Sequence, residues 1–399
     1  MRIVFVAPFG LHPKGTVSVR ALPLARTLSA RGHEVTVLVP PWDDRSAAGQ
    51  VTTIEGVRVI NLALPANPRL DAPLLMSRLL RAALAARPSV VHCFKPKAYS
   101  GLLAMAWAAL RRARLVQAPL VMDSDDWEGA GGWNERESYP GWQRRFFAWQ
   151  ERWGLTQADG VTVASRALET LAWSLGAPPA LVRYLPNGPH PWPTARPADV
   201  AARRTVLGLG EGPVALLYTR FFEFDPARFA AIWAWVVAAL PAARLLVVGR
   251  GLGGEERIFH AAIEAVGAGQ SVVDVGWLPP EALPVHWALA QVALWPMDDT
   301  LINRTKCPVK LTDLLGAGLP VVAESVGQVT EYLAPEAGGI VVAPGDQPAF
   351  AAATAALLEA PARAASLGTA GRLRLEREFG WPLQAAKAES LYRQIGARA

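Results

Sequence analysis

With 399 residues, 51% of them apolar, the chain is long enough for two hydrophobic cores and too apolar for a disordered protein. The 40 Lys and Arg against 34 Asp and Glu leave a net charge of +6, which suits an anionic substrate or surface; with no RNA-module motif beside it, nucleic acid is not an expected partner. The 2 cysteines lack disulfide-framework or metal spacing, and no apolar run reaches the ~18–20 residues of a membrane span, so a cytoplasmic protein is expected.

The opening residues MRIVFVAPFG read as a buried strand rather than a leader peptide, since the apolar run is short and no small-residue cleavage site follows. A Gly-containing loop, FGLHPKGTVSVR at 9–20, leads into a helix over 19–31 that Gly32 should terminate. Strands are expected at EVTVLVP, VRVINLAL, VVHCF, LVMDS and GVTVAS, with a helix at 73–86. Such short continuous apolar runs suit strands buried on both faces of a parallel sheet.

The stretch 185–213, dense in Pro and Gly, reads as a linker, with the domain boundary inside 190–212. A second strand series follows: VALLYTR, RLLVVG, SVVDVG, QVALWP, PVVAES and GIVVAP. An amphipathic helix over 382–396 comes last. The expected division is 1–190, 191–380 and a C-terminal helix over 381–399 that crosses back to the first domain. Two α/β halves across a hinge imply a ligand cleft.

The most informative stretch is NRTKCPVKLTDLLGAGLPVVAESVGQVTEYL, 303–333. Its basic, Pro-marked loop opens a helix, and cations beside helix-start N–H groups form an anion site. Lys306 and Lys310 supply charge there, and Asp313 is placed one turn in, where a carboxylate can hold a ribose. Such cations would stabilise the negative charge of a nucleotide diphosphate. The one hint of a divalent metal is the side-by-side pair Asp125 and Asp126.

Other stretches point to sugar chemistry or to solvent. In DSDDWEGAGGWNE, 123–135, Asp125, Asp126 and Trp127 combine acids for hydroxyls with a ring for a sugar face; a capped turn is the plainer reading. Lys14, Gly15 and Thr16 can approach donor phosphate or acceptor, as Gly allows close backbone approach. His12, Arg20, His92, Lys95 and Lys97 are weaker candidates, as are Asp298 and Asp299. PGWQRRFFAWQERW at 140–153 mixes Trp with Arg, which suits peripheral contact at the inner membrane face. GRGLGG at 249–254, with Asp274 further on, satisfies the dinucleotide fingerprint, although it follows the second strand of its half.

In order and spacing the chain resembles the retaining family 4 (group 1) glycosyltransferases of the GT-B fold. The residues that carry the likeness are RGHEVTVLVP at 31–40, SVVHCF at 89–94, QADGVTVAS at 157–165, LPNG at 185–188 and the 303–333 stretch. The resemblance implies two Rossmann-like parallel-sheet domains facing a central cleft, the first for the acceptor and the second for a UDP or GDP sugar. It implies metal-independent transfer of a hexose to a sugar, glycan or lipid-linked acceptor with retention, and no cofactor beyond the nucleotide-sugar co-substrate. Closure of the domains would exclude water and align donor with acceptor.

By position, Asp313 matches the second of two family acids, while Thr305 stands where the first would be. That sugar-hydroxyl role would pass to Asn303 or Thr305. Arg220 matches a diphosphate-binding Arg, yet no Lys follows it, because Glu223 and Phe224 stand there. Lys306 and Lys310 are the expected replacements, Gly327 and Glu331 match a donor loop, and catalysis is expected to rest on Arg220, Lys310 and Asp126. The competing readings are a GT-B-like binding protein without catalysis, an epimerase and an NAD-dependent oxidoreductase.

Overall fold

The computed structural model describes residues 1–11, 15–65, 67 and 71–398. It resolves into two compact units, Met1–Asn187 with Thr305–Cys307 and Gly380–Ala399, and Gly188–Arg304 with Pro308–Phe379.

The first unit is built on β1 (Arg2–Val6), β2 (Glu34–Val39), β3 (Val51–Ile54), β4 (Val57–Asn61), β5 (Val90–Phe94), β6 (Leu120–Ser124), β7 (Gly160–Val163) and β8 (Val182–Tyr184). They lie in the order β3-β4-β2-β1-β5-β6-β7-β8. All pairs are parallel except β3 with β4, a hairpin. β3 and β8 are absent from the sequence reading: β3 is a polar edge strand, exposed along most of its length, and β8 has only 3 residues.

Around this sheet lie α1 (Leu22–Ala30), α2 (Asp71–Ala85), α3 (Ala98–Arg112), α4 (Trp133–Arg136), α5 (Gly141–Gln157) and α6 (Arg166–Ser174). The expected first helix is divided: a π-helical turn, Val17–Ala21, precedes α1. Gly32 ends it at φ +90°, a left-handed conformation that costs glycine little. Ser165 caps α6 by accepting the Leu168 N–H.

The second unit carries β9 (Val214–Thr219), β10 (Arg244–Gly249), β11 (Val272–Asp274), β12 (Val292–Trp295), β13 (Val321–Glu324) and β14 (Gly339–Val342) in the order β11-β10-β9-β12-β13-β14, all parallel. Its helices are α7 (Pro197–Val206), α8 (Pro226–Ala239), α9 (Glu256–Ala265), α10 (Leu283–Trp287), α11 (Leu301–Thr305), α12 (Val309–Gly316), α13 (Val329–Tyr332), α14 (Gln347–Glu359) and α15 (Pro361–Phe379). α7 corrects the reading of 185–213 as an unbroken linker: Pro197 starts it, with its fixed φ suited to a first helical turn, and Ala201, Ala202, Arg203 and Arg204 sustain it.

The last helix, α16 (Trp381–Gln394), counts with the first unit. Ala385, Ala388, Leu391 and Tyr392 join the core of β1, β2 and α1. A side chain at Gly160 would meet Leu391 at about 3.1 Å, so β7 can lie directly under this helix.

Candidate functional site

In each sheet the strand order reverses once, and ligands of open α/β sheets gather at the carboxyl ends of the strands there. The reversal lies between β1 and β5 in the first unit and between β9 and β12 in the second. At both, a non-glycine residue holds the left-handed backbone, Lys95 (φ +59°) after β5 and Phe221 (φ +68°) after β9. Such conformations are costly and concentrate at functional sites.

In the first unit these ends gather charge. The Lys95 ammonium lies 3.0 Å from Asp125 Oδ1, 3.2 Å from Asp126 Oδ2 and 3.2 Å from Glu128 Oε1, while Lys97 reaches Glu128 Oε2 at 2.8 Å. Burial opposes the Lys95 charge, yet the three carboxylates hold its pKa well above the ordinary value. The ammonium thus lies among the three acids. Thr16 donates to Asp125 Oδ2 at 3.0 Å, tying the loop after β1 to the loop after β6. Asp126 is the accessible acid, its side chain 26% exposed. Burial raises its pKa, with Asp125 and Glu128 adding to this against Lys95 and Lys306. Glu151, from α5, accepts the Glu128 N–H at 2.8 Å, and burial followed by Glu128 pushes its carboxyl well up.

Beneath lies a second buried pair. Arg20, on the π-helical turn, donates to both oxygens of Asp123 at 2.7 and 2.6 Å and also to Leu185 O and Asn187 Oδ1. Removing either partner would leave a buried charge unpaired.

In the second unit a cluster forms around the end of β9 and the start of α12. Lys310 Nζ stands 4.3 Å from the centre of the Tyr218 ring, and Arg220, two residues after Tyr218, is exposed. Asp313, one turn after Lys310, accepts the Trp192 indole N–H at 2.8 Å. Burial raises the Asp313 carboxyl to about 7, against the lowering effects of Trp192 and Lys310. A small cavity lined by Tyr218, Thr219, Glu223, Trp295 and Pro296 opens beside them, at the reversal point itself. A larger hollow of about 730 Å³ lies by edge strand β14, lined by Thr330, Arg363 and Ser366, away from this chemistry.

Of the expected residues, Thr16, Asp125 and Asp126 thus come together in the first unit, with the exposed Gly15 beside Thr16, and Arg220, Lys310 and Asp313 come together in the second. Lys14 and His12 lie outside the described residues. Glu331 is half-buried on α13, and its carbonyl accepts from Arg374. Asp298 and Asp299 are ion-paired with Arg228 and Arg304.

Four expectations need correction. His92 has no exposed surface; its ring nitrogens meet Tyr392 Oη at 2.7 Å and Thr162 Oγ1 at 3.1 Å. Burial and Arg20 lower its pKa to about 3, which makes it a neutral core residue rather than an acceptor contact. Trp127 is packed in the core and donates to Ala130 O, its ring so close to Gly129 and Gly132 that a Cβ there would overlap it. That ring offers no sugar platform. Thr305 is buried and belongs to the first unit, its carbonyl accepting from Ser165 Oγ at 2.7 Å. Lys306 also counts with the first unit, where it lies 5.4 Å over the Trp133 ring and acts on Asp126. Asn303 is 3% exposed and donates to Glu223 O and Asp298 O, so it ties together the loops after β9 and β12.

The Gly-rich turn after β10 also departs from a dinucleotide site. The Gly251 N–H donates to Glu256 Oε2 at 3.0 Å and the Gly253 N–H to Glu255 Oε2 at 2.6 Å. Carboxylates occupy the N–H groups a pyrophosphate would use, and Asp274, the expected ribose acid, pairs with His260.

Sequence reasoning missed Trp192, which sits in the Pro-rich stretch, and Glu128 and Glu151. Glu128 was legible as a third acid in DSDDWE; nothing in the sequence marks Glu151 as inward-facing on its helix.

Residues 15–188 match the glycosyl transferase 4-like domain, and residues 226–360 match the glycosyl transferases group 1 domain. The chain belongs to the family 4 (group 1) glycosyltransferases of the GT-B fold. As such it is a glycosyltransferase of the class that draws on nucleotide-sugar donors. A GDP-mannose-dependent alpha-(1-6)-phosphatidylinositol monomannoside mannosyltransferase of Mycolicibacterium smegmatis is 27% identical to it over 375 residues, 90% of each chain. A 2-deoxystreptamine glucosyltransferase of Streptomyces kanamyceticus is 28% identical over 253 residues, 61% of this chain and 63% of that one. Among solved structures, a sucrose-phosphate synthase from Thermosynechococcus elongatus superposes with a TM-score of 0.73 at 22% identity, covering 100% of both chains, a likeness of fold.

Proposed function

We propose that this glycosyltransferase moves a hexose from a nucleotide diphosphate sugar to a sugar-containing acceptor, with retention of configuration and without a metal. The observation that carries the reading is the grouping of Arg220, Lys310, Tyr218, Asp313 and Trp192 at the point where the second sheet reverses. Arg220 and Lys310 supply positive charge to the leaving diphosphate, a charge that need not be rebuilt during reaction. Asp313 has one oxygen on Trp192 and offers the other to a ribose hydroxyl. Glu223 accepts the Arg220 N–H and shapes the turn; its negative charge leaves Lys310 to compensate the diphosphate.

In retaining transfer without an enzyme nucleophile, the departing diphosphate accepts the acceptor's proton on the face it leaves. The C–O bond to phosphate breaks as the new glycosidic bond forms. Asp126, half-buried and with its pKa held above the ordinary carboxylate range by burial, is the acid best placed in the first unit to take a hydrogen bond from an acceptor hydroxyl. The mannosyltransferase and the glucosyltransferase above differ in the sugar and the acceptor they are named for, so the sugar must be found by trial. The sugar, glycan or lipid-linked acceptors remain within the proposed class.

The test is a melting-temperature screen of GDP and UDP sugars, followed by release of nucleoside diphosphate with and without acceptor. A ligand that binds the folded state raises its melting temperature. A donor that raises it and is slowly hydrolysed without acceptor supports catalysis. Binding without any turnover, with or without acceptors, would favour a non-catalytic binding protein.

A further inference from the structure

We propose that the outer face of α5 is a docking surface for an anionic lipid bilayer. The helix is inverted relative to an ordinary surface helix. Its buried side includes Gln150 and Glu151, which bond to the Ala98 and Glu128 backbone N–H groups, beside Phe147, Gly154 and Leu155. Its outer side carries Trp142, 70% exposed, and Trp149, 48% exposed. Trp142, Phe146, Trp149 and Trp153 recur every three or four residues and so form one stripe. Phe146 and Trp149 touch, their ring centres 5.9 Å apart. Trp153 continues the stripe and turns partly into the core.

Water is a poor solvent for such a stripe, and the charges around it name the partner. Arg145 and Arg152 are exposed on the flank of the stripe, and the helix's single acid, Glu151, is buried; Arg144, half a turn away from Trp142, faces the other side and donates to Tyr139 O at 2.9 Å. At the helix's far end, Gln157 accepts from Arg112 at 3.1 Å. There Arg112, Arg114 and the 72% exposed Leu115 add two cations and one apolar group. Trp sits by preference at the depth of lipid headgroups, and Arg pairs with their phosphates. A protein partner burying this face would need acids to match the arginines, whereas an anionic bilayer supplies both an acyl boundary and negative charge everywhere along the stripe. No helix among the described residues is long and apolar enough to cross a membrane, so the contact is with the surface.

The experiment is flotation of the full chain with vesicles of phosphatidylcholine alone and of phosphatidylcholine with phosphatidylglycerol. The expected result is co-flotation with the anionic vesicles, reduced by salt, and at least ~5-fold weaker on neutral ones. Trp142→Ser with Trp149→Ser should lower binding ~5-fold or more, and Arg145→Glu with Arg152→Glu should abolish it. Both variants should melt as the wild type does, because the altered side chains are exposed. Absence of binding to either vesicle, or unchanged binding by the double Trp variant, overturns the proposal. So does concentration-dependent self-association that the Trp substitutions remove, which would assign the face to a second copy of the chain. Nucleoside diphosphate release from the donor, measured in solution on the same variants, reads the glycosyl-transfer proposal separately: vesicle binding and turnover can fail independently.

Discussion

Trp192 holds Asp313 through a 2.8 Å bond from its indole N–H, and the carboxyl it holds is raised from the usual 3.8 to about 7 by burial. The unfolded chain releases this proton near 3.8 and the folded chain near 7. The folded state is therefore favoured by this group below 3.8, and that contribution is lost as pH climbs to about 7. Asp313→Asn keeps an acceptor for Trp192 and removes the titration. The variant should show a flatter fall of stability between pH 4 and 7, by an amount on the order of a few kcal/mol. Denaturant melts of both proteins across that range decide it; superimposable profiles would show that Asp313 titrates normally.

Lys310 stands over the Tyr218 ring with its ammonium at the β9 edge. If it stabilises the charge leaving with the diphosphate, Lys310→Ala should lower kcat by roughly 10²–10³. As the side chain is only half-buried, the melting temperature should move little. Steady-state turnover and a melting curve on one preparation separate the two roles. Equal turnover would remove Lys310 from the reaction.

Lys95 makes ion pairs with three carboxylates within 3.2 Å while itself largely buried. Lys95→Met should therefore destabilise the protein by about 3–5 kcal/mol, since unpaired buried charge is the costly outcome. Adding Glu128→Gln should restore part of that loss, because one of the repelling acids is gone. A double-mutant cycle by urea unfolding measures the coupling; strict additivity would mean that the ion pairs contribute nothing.

The alternation of strand and helix made the two α/β halves legible, because strands buried on both faces read as uninterrupted Val, Ile and Leu. β3 was not legible, since an exposed edge strand such as VTTI has no apolar run. α7 was hidden by the prolines and glycines on either side of it. Spacing within one motif located Lys310 and Asp313 together, because both lie on α12. It misplaced Thr305, only a few residues earlier, for spacing along a chain does not say which side chains a fold buries. His92 and Trp127 failed for another reason. Their residue types suit both a site and a core, and only the neighbours Tyr392, Thr162 and Ala130 distinguish the two.

Gly327 provides a test of the loop before α13. Its φ is +56°, and a Cβ there would stand 2.4 Å from the Arg304 carbonyl oxygen and 2.7 Å from its Cα, both backbone atoms with little room to give. Gly327→Ala must therefore displace one of two loops, at a cost of about 1 kcal/mol or more from the left-handed backbone alone. If this loop holds the donor, the variant should lose most of the melting-temperature increase that a nucleotide sugar gives the wild type. The loss should exceed the fall in the ligand-free melting temperature. An undiminished increase in a destabilised variant would leave Gly327 as a packing residue and move the donor site away from α13.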